Sequence, residues 1–303
     1  MVDLSTTISG LRMKNPTMLA SGILGESGES LFRIAGKGAG AVVTKSIGME
    51  PKIGHKNPSF VEMEHGVLNA MGLPNPGIEA FSEEVSKAVA SGIPVLGSIF
   101  GKDKGEFITL ARKMEEYGVQ GLELNLSCPH AKGYGAELGH DRNIVREITE
   151  AVKNAVRIPV FPKLSPNVES IADIALAVEE AGGEGVVVIN TMKAVAINAE
   201  LAMPVLANAV GGLSGPAIKP IGLRCVYEIR KGTELPIIGV GGVITGRDAV
   251  EYFMAGASAV QIGSGIYYRG RDVFTLVCGE IEKFMEKQGY ESIEEMVGIA
   301  VKK

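Results

Sequence analysis

The stretch 121-GLELNLSCPH-130 alternates apolar and polar residues, then ends in Asn125, Ser127 and Cys128 before Pro129 stops it. A thiol set among amide and hydroxyl groups at the end of an apolar run suits a base or a nucleophile. Polar residues close other short apolar runs as well: Ser21, Lys45 with Ser46, Lys163, and Asn190 with Thr191. Burying a lysine or an unpaired amide costs on the order of several kcal/mol. One such Ser or Asn reads as a capping or turn residue; the whole set, at exit after exit, reads as a shared polar site.

Glycine carries a second signal. The segments 239-GVGGVITG-246 and 262-IGSGIYYRG-270 follow the last two apolar runs, and 211-GGLSG-215 precedes a helical pattern at 216. Glycine turns that open helices leave backbone N–H groups to an approaching phosphate. A phosphate with two lysines allows three chemistries. Lys163 forms a Schiff base with a sugar phosphate, as in an aldolase. Or the phosphate belongs to FMN, with a lysine donating to the flavin's pyrimidine edge. Or the chain only binds a nucleotide. An aldolase has no use for Cys128, whereas a flavin oxidoreductase that takes hydride from carbon needs a base for the neighbouring proton.

The elements that must position these residues are legible. Eight runs read as strands: near 16–21, 40–46, 94–100, 121–127, 158–164, 184–190, 236–240 and 257–263. Helical patterns at 79–91, 105–118, 141–156, 168–182, 216–232 and 246–257 lie between them. Strands buried on both faces and separated by helices imply a parallel sheet. Eight repeats predict an α/β fold, a (β/α)8 TIM barrel with its site on the C-terminal face. Residues 3–16 read as a hairpin over the barrel floor. Two long βα connections, 47–78 and 191–215, fall on the C-terminal face and are expected to be functional or mobile. No linker divides the chain, so residues 1–303 read as one domain.

Composition narrows the function classes. Aromatics make up 5% of the 303 residues against 46% hydrophobic in all, so the core is aliphatic. A net charge of -5 gives no electrostatic case for nucleic acid or an anionic membrane. Three cysteines without paired spacing make neither a disulfide framework nor a zinc site, and His55, His65 and His140 lack metal spacing. No metal is expected in this chain. Cys225 and Cys278 fall within helical patterns and read as core residues. With no signal-peptide pattern and no apolar stretch of spanning length, a cytoplasmic setting is expected.

The segments 44-TKSIG-48, 68-LNAMGLPNPG-77, 125-NLSCPH-130, 189-INT-191 and 239-GVGGV-243 resemble dihydroorotate dehydrogenases, over about residues 4–290. The resemblance implies oxidation of (S)-dihydroorotate to orotate in pyrimidine (UMP) biosynthesis. Cys128 stands where the membrane-bound class has serine, as in the class 1 enzymes. The segments 66–77 and 132–141 look most like the catalytic subunit of the type 1B branch, which reaches NAD through a partner carrying FAD and a [2Fe-2S] centre. A homodimer of this chain with two such partners, a heterotetramer, is implied; a type 1A enzyme would use fumarate instead. Dihydropyrimidine dehydrogenase shares much of the pattern and remains the alternative, with the Lys163 aldolase behind it.

By the same resemblance, Cys128 is the base at carbon 5 while hydride leaves carbon 6 for FMN. A thiol with an ordinary pKa near 8.5 is only a few per cent ionised at neutral pH, so the rate should rise with pH. Lys45, Asn69, Ala70, Met71, Gly72, Leu73, Asn125, Asn190 and Thr191 match substrate contacts, Lys45 facing the carboxylate. Ser21, Lys45, Ser46, Asn125, Lys163 and Ile189 match flavin contacts, and Gly215, Gly241, Gly242, Gly263 and Ser264 the phosphate cradle. Two positions depart from the family pattern. Gly97 stands where many relatives have Asn, so that one flavin contact is either missing or met by water, and His130 follows the Cys-Pro pair where Asn is usual.

Overall fold

A strand that is apolar on both faces, such as 41-AVV-43 or 186-VVV-188, has to be covered on both sides. In the computed structural model, which describes residues 2–126 and 138–302, a closed parallel barrel does this. Its strands are Thr17–Leu19, Ala41–Val43, Val95–Ile99, Gly121–Asn125, Val160–Leu164, Val186–Val188, Ile237–Val240 and Ala259–Ile262. Each pairs with its sequence neighbours, and the eighth closes on the first with Val260 opposite Thr17. All eight fall within the runs read from sequence. Cys128, with Ser127 and His130, lies outside the described residues.

A helix follows every strand: Gly28–Gly36, Ser82–Val89, Lys104–Glu116, Arg142–Ala155, Ile171–Glu180, Lys219–Gly232, Gly246–Ala255 and Val273–Gln288. The side chains of Asp103, Asp141 and Ser170 accept first-turn amides, and Thr245 with Asp248 forms a capping box. Periodicity does not single out the first and last of these helices. The first is nine residues framed by glycines, and the last carries Gly279 in its middle.

Period-two alternation sends every second strand residue inward. At the floor the inward residues are apolar: Met18, Ala41, Val43, Leu96, Phe161, Val187, Ile238 and Ala259. The hairpin of Thr6–Ile8 and Leu11–Met13 plugs them from below with Ile8, Leu11 and Met13. Ser9 and Thr6 donate their hydroxyls to the carbonyls of Glu184 and Ser258, which fastens the plug to the rim.

The two long connections are not structureless. Phe60–Met63, Gly66–Asn69, Met192–Val195 and Val210–Ser214 form one antiparallel four-stranded sheet across the C-terminal face. Asn69 lies opposite both Phe60 and Gly212, so the two connections are joined into a single roof. The pattern was hard to read because Gly211 and Gly212 interrupt the last strand.

Gly97 faces the helix layer: a Cβ there would lie 3.0 Å from the Met114 sulfur. A side chain at 97 would not reach the barrel interior, so the expected loss of a flavin contact at Gly97 is corrected. Ser98 is the inward residue. Cys225 is fully buried and Cys278 partly so, with the Thr17 hydroxyl 3.8 Å from its sulfur. Burial pushes both thiols up to about 11.

Two outcomes follow from this packing. Phe161→Ala should cost about 3–5 kcal/mol in denaturant unfolding, because it empties the centre of the floor; a loss under about 1 kcal/mol would contradict that placement. With pKa values raised, Cys225 and Cys278 are about 0.1% thiolate at pH 8, and their reactivity climbs roughly tenfold per pH unit towards 10. A folded Cys128→Ser protein should therefore react with a disulfide reagent only slowly at pH 8, and at two thiols once unfolded. A rapid native thiol in that variant would contradict the burial.

Candidate active site

Moving up the barrel from Phe161, Leu96, Val43, Ala259 and Gly121, the next inward positions are Lys163, Ser98, Lys45, Gln261 and Glu123. The interior changes from apolar to polar one pleat above the floor. Above this layer, the strand exits and the roof enclose a cavity of about 390 Å3.

It gathers most of the residues singled out from sequence. Ser21, Lys45, Ser46, Asn69, Met71, Gly72, Leu73, Asn125, Lys163, Ile189, Asn190, Thr191, Gly241, Gly242, Gly263 and Ser264 all line it. Ala70 and Gly215 do not. Ala70 packs with Leu68, Ala196 and Leu206 on the far side of the roof. Gly215 sits behind Gly242, where a Cβ on Gly242 would come within 2.8 Å of the Gly215 carbonyl oxygen.

On one side of the cavity, hydroxyls and an amide form a connected set. The Ser46 hydroxyl lies 2.9 Å from that of Ser98 and 3.2 Å from that of Ser21, and Asn125 donates to it over 3.0 Å. Asn125 spends its NH2 there, while its buried Oδ1 has no partner. A buried carbonyl oxygen without a donor is costly, and a donor supplied by a ligand would relieve it. Lys45, also buried, comes within 3.6 Å of the Glu26 carboxylate. On the opposite side, the Thr191 amide donates to its neighbour's Asn190 Oδ1 over 2.7 Å. Asn167 accepts from the Lys193 amide and donates to the Thr191 carbonyl, bracing that strand exit.

The loop from 70 to 77 is braced by Asn75. Its Oδ1 accepts from the amides of Gly48 and Gly77, and its Nδ2 donates to the Leu73 carbonyl. His55 lies beneath this loop, its Nδ1 3.2 Å from the Ala70 carbonyl oxygen. Across the barrel, Gly241 and Gly242 turn the seventh exit with φ of 125° and 69°. The Tyr252 hydroxyl donates to the carbonyls of Val240 and Gly241, tethering that turn from below. A Cβ on Gly265 would come within 2.6 Å of the Val243 carbonyl oxygen, so the turns after strands seven and eight press against each other. Backbone packed this closely, with no side chains in the way, suits an anion.

Sequence reasoning missed Glu123 and Gln261, both wholly buried and both lining the cavity. Lys163 donates to Glu123 Oε1 over 3.2 Å and to Gln261 Oε1 over 3.0 Å, and Gln261 Nε2 donates to Glu123 Oε2 over 2.7 Å. The signal was present: counting back by two from Asn125 reaches Glu123. Phe60, Val67, Ser214 and Tyr267 also line the cavity. They come from the roof and the helix Gly265–Arg269 after strand eight. Among the described residues, no three His, Cys, Asp or Glu side chains come together as a metal site, and no helix is long and apolar enough to cross a membrane.

The family model described as "Dihydroorotate dehydrogenase" matches residues 3–285. A protein of Methanocaldococcus jannaschii, "Dihydroorotate dehydrogenase B (NAD(+)), catalytic subunit", is 54% identical over 301 residues, covering 98% of each chain. A protein of the same name from Thermoplasma acidophilum is 52% identical over 302 residues and the full length of both. A solved structure of DHODH in complex with ferulenol from Eimeria tenella superposes with a TM-score of 0.87 at 24% identity, over 98% of this chain and 88% of that one. That likeness supports the fold. The matched family and the half-identical, full-length relatives together place the chain in the dihydroorotate dehydrogenase family.

Proposed function

We propose that this chain oxidises (S)-dihydroorotate to orotate, with FMN bound in the cavity at the C-terminal face. One observation carries the reading: the amide and lysine groups of strand exits two, four, five and six share a single cavity with the glycine turns after strands seven and eight. The residues present fit FMN. The turn at Gly242 has no room for a Cβ, and Asn125, which lines the cavity, carries a buried Oδ1 with no partner.

When bound, FMN supplies the two-electron acceptor that takes hydride from carbon 6. The chain's own residues do the rest. Gly241, Gly242, Gly263 and Ser264 would hold its phosphate through backbone, and Lys163 would offer a cation to its pyrimidine edge. Ser21, Ser46 and Ile189 complete the flavin's surroundings. Lys45 balances the substrate carboxylate. Asn69, Asn125, Asn190 and Thr191 offer donors and acceptors to the planar imide, which a side-chain amide can match with both at once. Residues 71–73 line the substrate's side of the roof. Cys128 takes the proton from carbon 5.

A partner subunit carrying FAD and a [2Fe-2S] centre would link the reduced site to NAD, and two copies of this chain would pair within the assembly, in the cytoplasm. The relatives' shared description, an NAD(+) enzyme's catalytic subunit, supports the NAD acceptor and a partner subunit.

Two measurements test the proposal. Anaerobic mixing with dihydroorotate should bleach the flavin absorbance near 450 nm, faster as pH rises from 6 to 8. In Cys128→Ser it should be slower by roughly 100-fold or more, since a positioned base contributes about 10²–10⁴. Bleaching indifferent to Cys128 would remove the base; no bleaching, or inhibition by uracil but not by orotate, would remove the substrate. Gly242→Ala places a side chain at positive φ against the Gly215 carbonyl and should weaken FMN retention about tenfold while the protein stays folded. Unchanged flavin content in that variant would move the phosphate elsewhere.

A further inference from the structure

Lys163, Glu123 and Gln261 come from strands five, four and eight and form a closed ring of three hydrogen bonds on the cavity floor. They are 6%, 0% and 1% exposed, so water contributes little to satisfying them. The ring permits one arrangement of donors. Lysine has donors only, so Gln261 must turn its oxygen to Lys163 and its NH2 to Glu123. Glu123 then accepts at both oxygens, as a carboxylate does. Two of the three ammonium hydrogens are spent within the ring. A carboxylate this close offsets most of the charge that Lys163 presents upward.

We propose that Glu123, held by Gln261, is a positioning residue that sets the effective charge of Lys163 and thereby the reduction potential of the bound flavin; this rests on the FMN reading above. The couple takes up two electrons and one proton and leaves a negative charge at the pyrimidine edge, where a bare lysine favours the reduced state. The ion pair restrains that preference. Electrons accepted from dihydroorotate can then be passed on instead of being held too tightly.

The test is a double-mutant cycle on the flavin-loaded protein, read as midpoint potential by equilibrium titration against reference dyes. Glu123→Gln leaves the lysine unbalanced and cannot close the ring. It should favour the reduced flavin about tenfold, which is about +30 mV for a two-electron couple. Lys163→Met should move the potential down by a similar factor. Lys163→Met with Glu123→Gln removes both charges and should return close to wild type. A purely structural role for Glu123 would not give shifts of opposite sign that cancel. If Glu123→Gln does not fold, the step from Lys163→Met to the double variant still has to raise the potential about tenfold. Equal potentials on either edge of the cycle would overturn the proposal. Wild-type protein that binds no flavin would instead overturn the FMN reading, so the two failures are distinct.

Discussion

An eight-stranded barrel has an interior one side chain wide, and every inward position must be filled or paired. That constraint organises this molecule. Below, aliphatic side chains and Phe161 fill the space and the N-terminal hairpin closes it. One pleat higher the inward residues are polar, and each must find its partner across the barrel because no water reserve lies beneath. Lys163 finds Glu123 and Gln261 on two other strands; Ser46 finds Ser98, Ser21 and Asn125. Barrel closure and site assembly are therefore the same event. Strands too far out of register would break both sets of contacts at once.

The two sides of the cavity are built by different means. The strand exits hold side chains whose positions follow from the ladder register, and they carry the amides and lysines. The glycine turns after strands seven and eight contribute backbone, the first tethered by Tyr252 from below and the two crowded by their mutual approach. One side of the cavity thus offers charge and side-chain donors and acceptors, and the other offers backbone.

The barrel strands were legible because strands buried on both faces leave unbroken β-branched runs, and most strand-end residues followed from their position. Helix Val273–Gln288 escaped notice because Gly279 interrupts its pattern, and the roof escaped because its strands are short, glycine-broken and drawn from two distant connections. Glu123 and Gln261 look like ordinary alternation within a strand; only the closed barrel shows that their faces converge on Lys163. Gly97 was misread for the complementary reason, since family pattern alone does not say which face a strand residue takes. Cys128 falls outside the described residues, so its role rests on chemistry and resemblance.

The roof also fixes an order in time. Asn69 is paired with Gly212, which lies 143 residues further along the chain. At about 5–20 residues per second, a ribosome needs roughly 7–30 s to cover that interval. Until then the strand Gly66–Asn69 can pair with Phe60–Met63 on one edge, while the other edge lacks the partner it has in the folded chain. The cavity's ceiling thus cannot be completed until residue 214 has been made. Its unpaired edge is where a slowed or truncated synthesis would first seek the wrong partner.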